Sequence, residues 1–166
     1  PARIRKVDGQ SRADGVRMTH PAAASTPQLA LEDEQIRRCY QVLSELRPHV
    51  PRDGFVDQVR AMQPFGYRLA FIQHGDSVVT VAGYRIGLNF HLGRHLYVED
   101  LVSAPGVRSH GYGAAMLEWL AGQARAAGCC FIDLDSGTQR HAAHRFYLAH
   151  GYSIQMFHFT RALESS

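Results

Sequence analysis

A chain of 166 residues with 45% hydrophobic and 20% charged residues has enough apolar content for one packed domain and too much for a wholly disordered chain. Its formal charge of +3 leans toward anionic ligands, but the lysines and arginines are scattered rather than grouped with aromatics, so nucleic acid is not implied. No apolar run is long enough to cross a membrane, no signal-type apolar segment stands near the start, and three cysteines make no disulfide framework; reduced thiols in a cytoplasmic protein are the simpler reading.

Residues 1–28 are polar and basic and then rich in Ala, Ser, Thr and Pro; they are expected to form a poorly ordered tail, with a vector-derived leader ahead of Met18, before a single domain over 29–166. Ile36, Cys39, Tyr40, Leu43 and Leu46 recur at helical spacing, which predicts a first helix over 31–46 that Pro48 and Pro51 end. Phe55, Val56, Val59 and Met62 predict a second over 53–62. Strands follow at 67–73 and 77–85, joined through the turn residues Gly75 and Asp76, and 86–94 reads as a looser connection. His91 and His95 in it, like His141 and His144 further on, are read as packing or hydrogen-bonding groups rather than metal ligands.

The organising stretch is 96–128. Leu96, Val98, Leu101 and Val102 make a strand broken by Glu99 and Asp100, and Pro105 and Gly106 stop it. Arg108-Ser109-His110-Gly111-Tyr112-Gly113 follows, and Gly113, Leu117, Leu120, Ala121 and Ala124 then recur at helical spacing to Gly128. A strand that passes through a glycine-bearing loop into a helix N-terminus is a device for holding phosphate, because the first turn has unpaired N–H groups and the helix dipole adds positive charge there. Three motifs compete for it. A P-loop needs a Gly-Lys-Ser/Thr triplet, which is absent. A dinucleotide fingerprint needs a third glycine where Met116 stands, although Asp133 and Asp135 lie near where a ribose-binding acid would sit. The third is Arg/Gln-x-x-Gly-x-Gly/Ala after a strand and a proline, here Arg108, Gly111 and Gly113-Ala114.

Beyond Gly128, Cys129 to Asp135 form a short apolar strand whose cysteines are expected to be buried and inert. A helix then carries Ala143-His144-Arg145-Phe146-Tyr147, with Gly151 and Tyr152 after it, and 153–161 reads as a last strand bearing Ile154, Met156, Phe157 and Phe159. The loop and this second signature together resemble the GNAT acetyltransferase superfamily, over about residues 67–163. Among its members, AHRFYLAHGY with the FHFTRAL ending is most similar to the aminoalkylphosphonate N-acetyltransferases. Arg140 departs from the asparagine many members carry.

The resemblance implies an α+β fold, a mixed and mostly antiparallel sheet flanked by helices, and acetyl-CoA as acetyl donor to the primary amine of a small molecule. It places the coenzyme A diphosphate on Arg108, Ser109, His110, Gly111, Tyr112, Gly113 and Ala114, the pantetheine arm and acetyl group along Leu101, Val102 and Ser103, and a further contact at Arg140. Tyr147 corresponds to the family tyrosine that protonates the leaving thiolate. Glu99 is the candidate base: two carboxylates inside an apolar strand cost several kcal/mol to bury unpaired, so one side of that strand must open onto water, a partner or a cleft. Simple alternation puts Glu99 on the side of Tyr97 and Leu101 and Asp100 on the other. A non-catalytic acyl-CoA sensor and a protein or peptide acetyltransferase are the alternatives, and the aromatic last strand is a candidate homodimer edge.

Overall fold

The computed structural model describes residues 26–163; the expectations for residues 1–25 lie outside them. A short strand β1 (Gln28–Leu29) leads into α1 (Asp33–Ser44), whose start is held by a capping box: the Gln35 amide oxygen accepts from the Glu32 backbone N–H at 3.0 Å. Helix α2 (Phe55–Met62) follows the prolines. Then come β2 (Arg68–His74), β3 (Ser77–Asn89) and β4 (Gly93–Ser103), each antiparallel to the one before. Helix α3 (Tyr112–Ala126), strand β5 (Phe131–Leu134) and helix α4 (His141–Ala149) complete the chain order. The sheet runs β1-β2-β3-β4-β5, with β5 parallel to β4.

The sheet is buried on both faces. Ile36, Cys39 and Leu43 of α1 and Phe55 and Val59 of α2 pack on Leu69, Phe71 and Val81, while Met116 and Leu120 of α3 pack on Ile72, Tyr84, Leu96 and Val98. β2 therefore shows four buried residues in succession instead of alternation.

Two expectations are corrected. Residues 86–94 are not a loose connection: β3 continues to Asn89, β4 begins at Gly93, and a tight turn closed by a hydrogen bond from the Leu92 N–H to the Asn89 side chain at 2.7 Å joins them. Gly87, Asn89 and Gly93 disguise the strand by composition, yet the pairing partner decides. Residues 153–161 join no strand of the sheet. A period-two apolar pattern signals that a segment can pair, not which edge it meets, and here the segment leaves Ile154, Met156, Phe157 and Phe159 exposed.

Gly83 lies under the ring of buried Tyr67, and a methyl group there would overlap the tyrosine hydroxyl. Gly83→Ala is expected to cost about 1–3 kcal/mol by overpacking, read as a lower urea midpoint at unchanged m-value; an unchanged midpoint would show that this contact is soft.

Candidate functional site

The loop before α3 is built from one 3-10 turn (Pro105–Val107) and two left-handed residues, Ser109 at φ 68° and Gly111 at φ 85°. A serine there is held at a cost of order 1 kcal/mol; Gly111 needs no such compensation. The turn consumes the amides of Arg108, which donates to Pro105, and of His110, which donates to Val107. Among the described residues, the amides of Ser109, Gly111, Tyr112, Gly113 and Ala114 donate to no protein acceptor, since the first helical bond is from Ala115 to Gly111. Five free N–H groups at a helix start, with exposed Arg108 beside them, form an anion-holding cradle. The Arg108 side chain itself is braced on the Ser103 carbonyl at 3.4 Å. Gly113 brings α4 to this cradle: the Phe146 ring lies 3.3 Å from where a side chain on Gly113 would begin.

Glu99 sits at a β-bulge. Tyr84 of β3 pairs with Val98 and Gly83 with Asp100, so Glu99 is the extra residue. The bulge reverses alternation, and this corrects the expectation that Asp100 points away from Glu99: both carboxylates serve the α1 face. Arg47, just past α1, donates through Nε to Asp100 Oδ1 at 2.7 Å and through a terminal nitrogen to the Glu99 carbonyl at 3.0 Å. The Tyr67 hydroxyl donates to Asp100 Oδ2 at 3.3 Å. Arg85 forms an ion pair with the Glu99 carboxylate and lies 5.6 Å over the Tyr67 ring. Burial, and then the two neighbouring carboxylates, push the Tyr67 hydroxyl well above the usual tyrosine range, so it stays a donor.

Parallel pairing of β4 with β5 ends at Val98 and Leu134. Beyond that point β4 pairs only with β3, its other edge from Glu99 to Ser103 has no strand beside it among the described residues, and a cleft of about 110 Å³ opens there. Arg47, Glu99 and Leu101 line one side, Asp135, Arg140 and Tyr147 the other. Val102 instead packs toward α1, and the Ser103 hydroxyl pairs with Thr80 at 2.7 Å, so those two residues face the opening only through backbone. Tyr147 is half-buried and its hydroxyl bonds no described protein group; burial raises its pKa, partly opposed by Arg140. Arg140, the residue before α4, is exposed and forms no ion pair among the described residues. A larger hollow, about 340 Å³ between α1 and α2, is lined by Asp33, Arg37, Arg52 and Asp53 and touches neither the cradle nor α4.

Two cleft residues, Arg47 and Asp135, carry no signal of their contacts in the sequence. Arg47 meets Asp100 across 53 positions. Asp135 accepts from the Tyr97 hydroxyl at 2.8 Å, and His158 Nδ1 stands 3.0 Å from its carboxylate. Tyr97 is held protonated by burial and then by that hydrogen bond. Of the histidines, His95 is buried with Nδ1 on the Gly93 carbonyl, and the rings of His141 and His144 stand edge to face at 6.1 Å. The cysteine expectation is corrected in part: Cys130 is exposed and Cys129 half-buried, because β5 starts only at Phe131. Among the described residues, no helix is long and apolar enough to cross a membrane.

Comparison with known proteins agrees with this architecture. Residues 32–152 match the Acetyltransferase (GNAT) family. An uncharacterized N-acetyltransferase, YhdJ of Bacillus subtilis, is 32% identical over 130 residues, 77% of this chain and 92% of that protein. The aminoalkylphosphonate N-acetyltransferase of Salmonella typhimurium is 33% identical over 129 residues, 75% of this chain and 80% of that one. An aminoglycoside N-acetyltransferase crystallised with CoA superposes with a TM-score of 0.72 at 14% identity, over 83% of this chain and 95% of that one, a likeness of fold. The family match starts well before residue 67, so α1 and α2, which the sequence reading set outside the resemblance, are part of it. With its glycine cradle, splayed parallel pair and tyrosine-bearing α4, the chain belongs to the GNAT acetyltransferase family.

Proposed function

We propose that the protein transfers an acetyl group from acetyl-CoA to the primary amine of a small molecule by direct attack on the thioester. The observation that carries this reading is the row of five free amides at the start of α3, aligned with a cleft that opens where β4 and β5 part. The cradle holds the diphosphate, and the unpaired backbone of Glu99 to Ser103 offers amides to the pantetheine arm and to the acetyl carbonyl oxygen as it gains charge. The ammonium first gives one proton to a carboxylate; the free amine nitrogen attacks the carbonyl carbon; the carbon–sulfur bond breaks and Tyr147 donates its proton to the leaving thiolate; the second proton, lost from nitrogen as the amide forms, returns through water to the Tyr147 oxygen. An ordinary tyrosine already holds its proton at neutral pH, and burial shifts Tyr147 further in that direction, so the donor form is the one present.

Glu99 is the proposed base, reached directly or through water. Asp135 is a second reading, favoured by one observation: Glu99 is tied to Arg85 and Asp100 to Arg47, whereas Asp135 accepts from a tyrosine hydroxyl and, among the described residues, pairs with no arginine. The acceptor is proposed to carry an anionic group as well as its amine. Carboxylates at Glu99 and Asp135 suit the ammonium and Arg140 suits the anion, as in an aminoalkylphosphonate, the substrate named for the Salmonella relative.

Tyr147→Phe is expected to lower kcat for CoA release by about 10²-fold or more at a little-changed acetyl-CoA dissociation constant; unchanged kcat removes the acid role. Because the shift is upward, loss of activity from ionised Tyr147 belongs only on the alkaline side, above the ordinary tyrosine value of about 10. Arg108→Ala should weaken acetyl-CoA binding by about 10-fold, the scale of one charged hydrogen bond, with kcat kept; equal calorimetric affinities for variant and parent would remove Arg108 from the cradle. Comparing kcat/KM of Glu99→Gln and Asp135→Asn between pH 6 and 9 assigns the base: the variant that flattens the acidic limb identifies it, and a limb intact in both leaves the proton to solvent.

A further inference from the structure

Arg47 is fixed in place with part of its guanidinium left over. Its own N–H donates to the Leu43 carbonyl at 3.0 Å, its carbonyl accepts from the Val50 N–H at 3.0 Å, and Pro48 follows it. The side chain is held as firmly: Nε donates to Asp100 Oδ1 at 2.7 Å and Nη2 to the Glu99 carbonyl at 3.0 Å. A guanidinium carries five N–H groups, and these bonds engage only some of them. Nη1 bonds no protein group among the described residues, and the Arg47 side chain is 43% exposed although that of its partner Asp100 is 9% exposed. Arg47 lines the cleft, with Glu99 on the same side and Arg140 on the other.

We propose that Arg47 is a specificity-determining residue for the acceptor: its unbonded N–H groups hold the acceptor's anionic group, a phosphonate or phosphate, while the amine lies at the carboxylates. The inference rests on the acetyl-transfer reading above and adds to it a residue to which that reading gives no role. A guanidinium already fixed at two nitrogens loses little freedom on taking a further partner, and its planar fork matches two oxygens of a tetrahedral anion. Arg140, exposed and free of ion pairs among the described residues, reaches the same space from the side of α4 and is not held in this way. The pair of Arg47 and Asp100 carries no net charge, so selection at Arg47 works through short hydrogen bonds rather than a long-range field. The size of the cleft makes the contact hard to avoid. At about 110 Å³ it is well below the roughly 300 Å³ at which sites for drug-sized ligands begin. Arg47 is bonded to the backbone of Glu99 itself, so a small acceptor whose amine meets that carboxylate has its second group beside the guanidinium.

The test is the preference between two primary amines of similar length, 2-aminoethylphosphonate and propylamine, read as CoA release from acetyl-CoA. Arg47→Gln alone would strand the buried Asp100 carboxylate, so the variant is Arg47→Gln/Asp100→Asn, with its folding checked by the urea midpoint. The parent is expected to favour the phosphonate by about 10-fold or more in kcat/KM. The double variant should lose about 10-fold or more of that preference, through a higher KM for the phosphonate, the scale of one charged hydrogen bond. Calorimetry on the CoA complex gives a second readout: 2-aminoethylphosphonate should bind the double variant about 10-fold or more weakly than the parent, at equal affinity for CoA. A parent with no preference for the phosphonate, a variant that keeps the preference, or a variant slowed equally with both amines would overturn the role of Arg47 and leave acetyl transfer standing. A parent that releases no CoA with either amine would instead remove the acetyl-transfer reading, and the specificity role with it.

Discussion

One extra residue in β4 governs the site. Were the strand regular, Glu99 and Asp100 would fall on opposite faces, and one of them would be driven into the α3 side among Tyr84, Leu96 and Val98. The bulge turns both toward α1, where two arginines and a tyrosine meet them. Asp100 is 7% exposed, and a carboxylate so placed is tolerable only with its hydrogen bonds made, so Arg47 and Tyr67 are obligatory partners. Arg47 lies just past the end of α1, and its bonds to β4 fix where that helix ends against the sheet. A wall of the cleft is thus set by an electrostatic requirement rather than by apolar packing alone.

The same strand makes the opening. Up to Val98, β4 has a neighbour on each side; after it, only β3 remains. Backbone groups that would have paired with β5 are left facing a space bounded by α4, and α4 is drawn to the loop by Phe146 against Gly113. Free amides before α3 and free backbone along β4 thereby share one side of the molecule. Both come from secondary structure ending where it does, so the fold presents free hydrogen-bonding groups on its main chain, with the side chains of Tyr147, Glu99 and Asp135 lining the same cleft.

Much of this was legible in the sequence, for identifiable reasons. The cradle announces itself because Gly111 and Gly113 stand directly ahead of a helix-spaced apolar run, and α4 because Ala143, Phe146 and Tyr147 keep helical spacing before Gly151. The bulge does not, since period-two alternation assumes one residue opposite one, and nothing local in LYVEDLV marks the exception. Arg47 was invisible for another reason: its partner lies on a strand 53 residues away, and an arginine before a proline looks like any helix end. The hairpin joining β3 and β4 was masked by Gly87 and Asn89, poor strand formers that a long antiparallel ladder carries along.

β5 is the strand on which these threads meet. Only four residues long, it is paired on one side and open on the other, and the residue just after it, Asp135, holds Tyr97 and His158. A short edge strand with an exposed Phe131 and a barely buried neighbouring helix is a weak wall for a site whose chemistry needs positions fixed to a fraction of an ångström. The position of β5 is set by the parallel ladder to β4 from His95 to Val98, so the Asp135 carboxylate at its end takes its place from that ladder and from the Tyr97 hydroxyl.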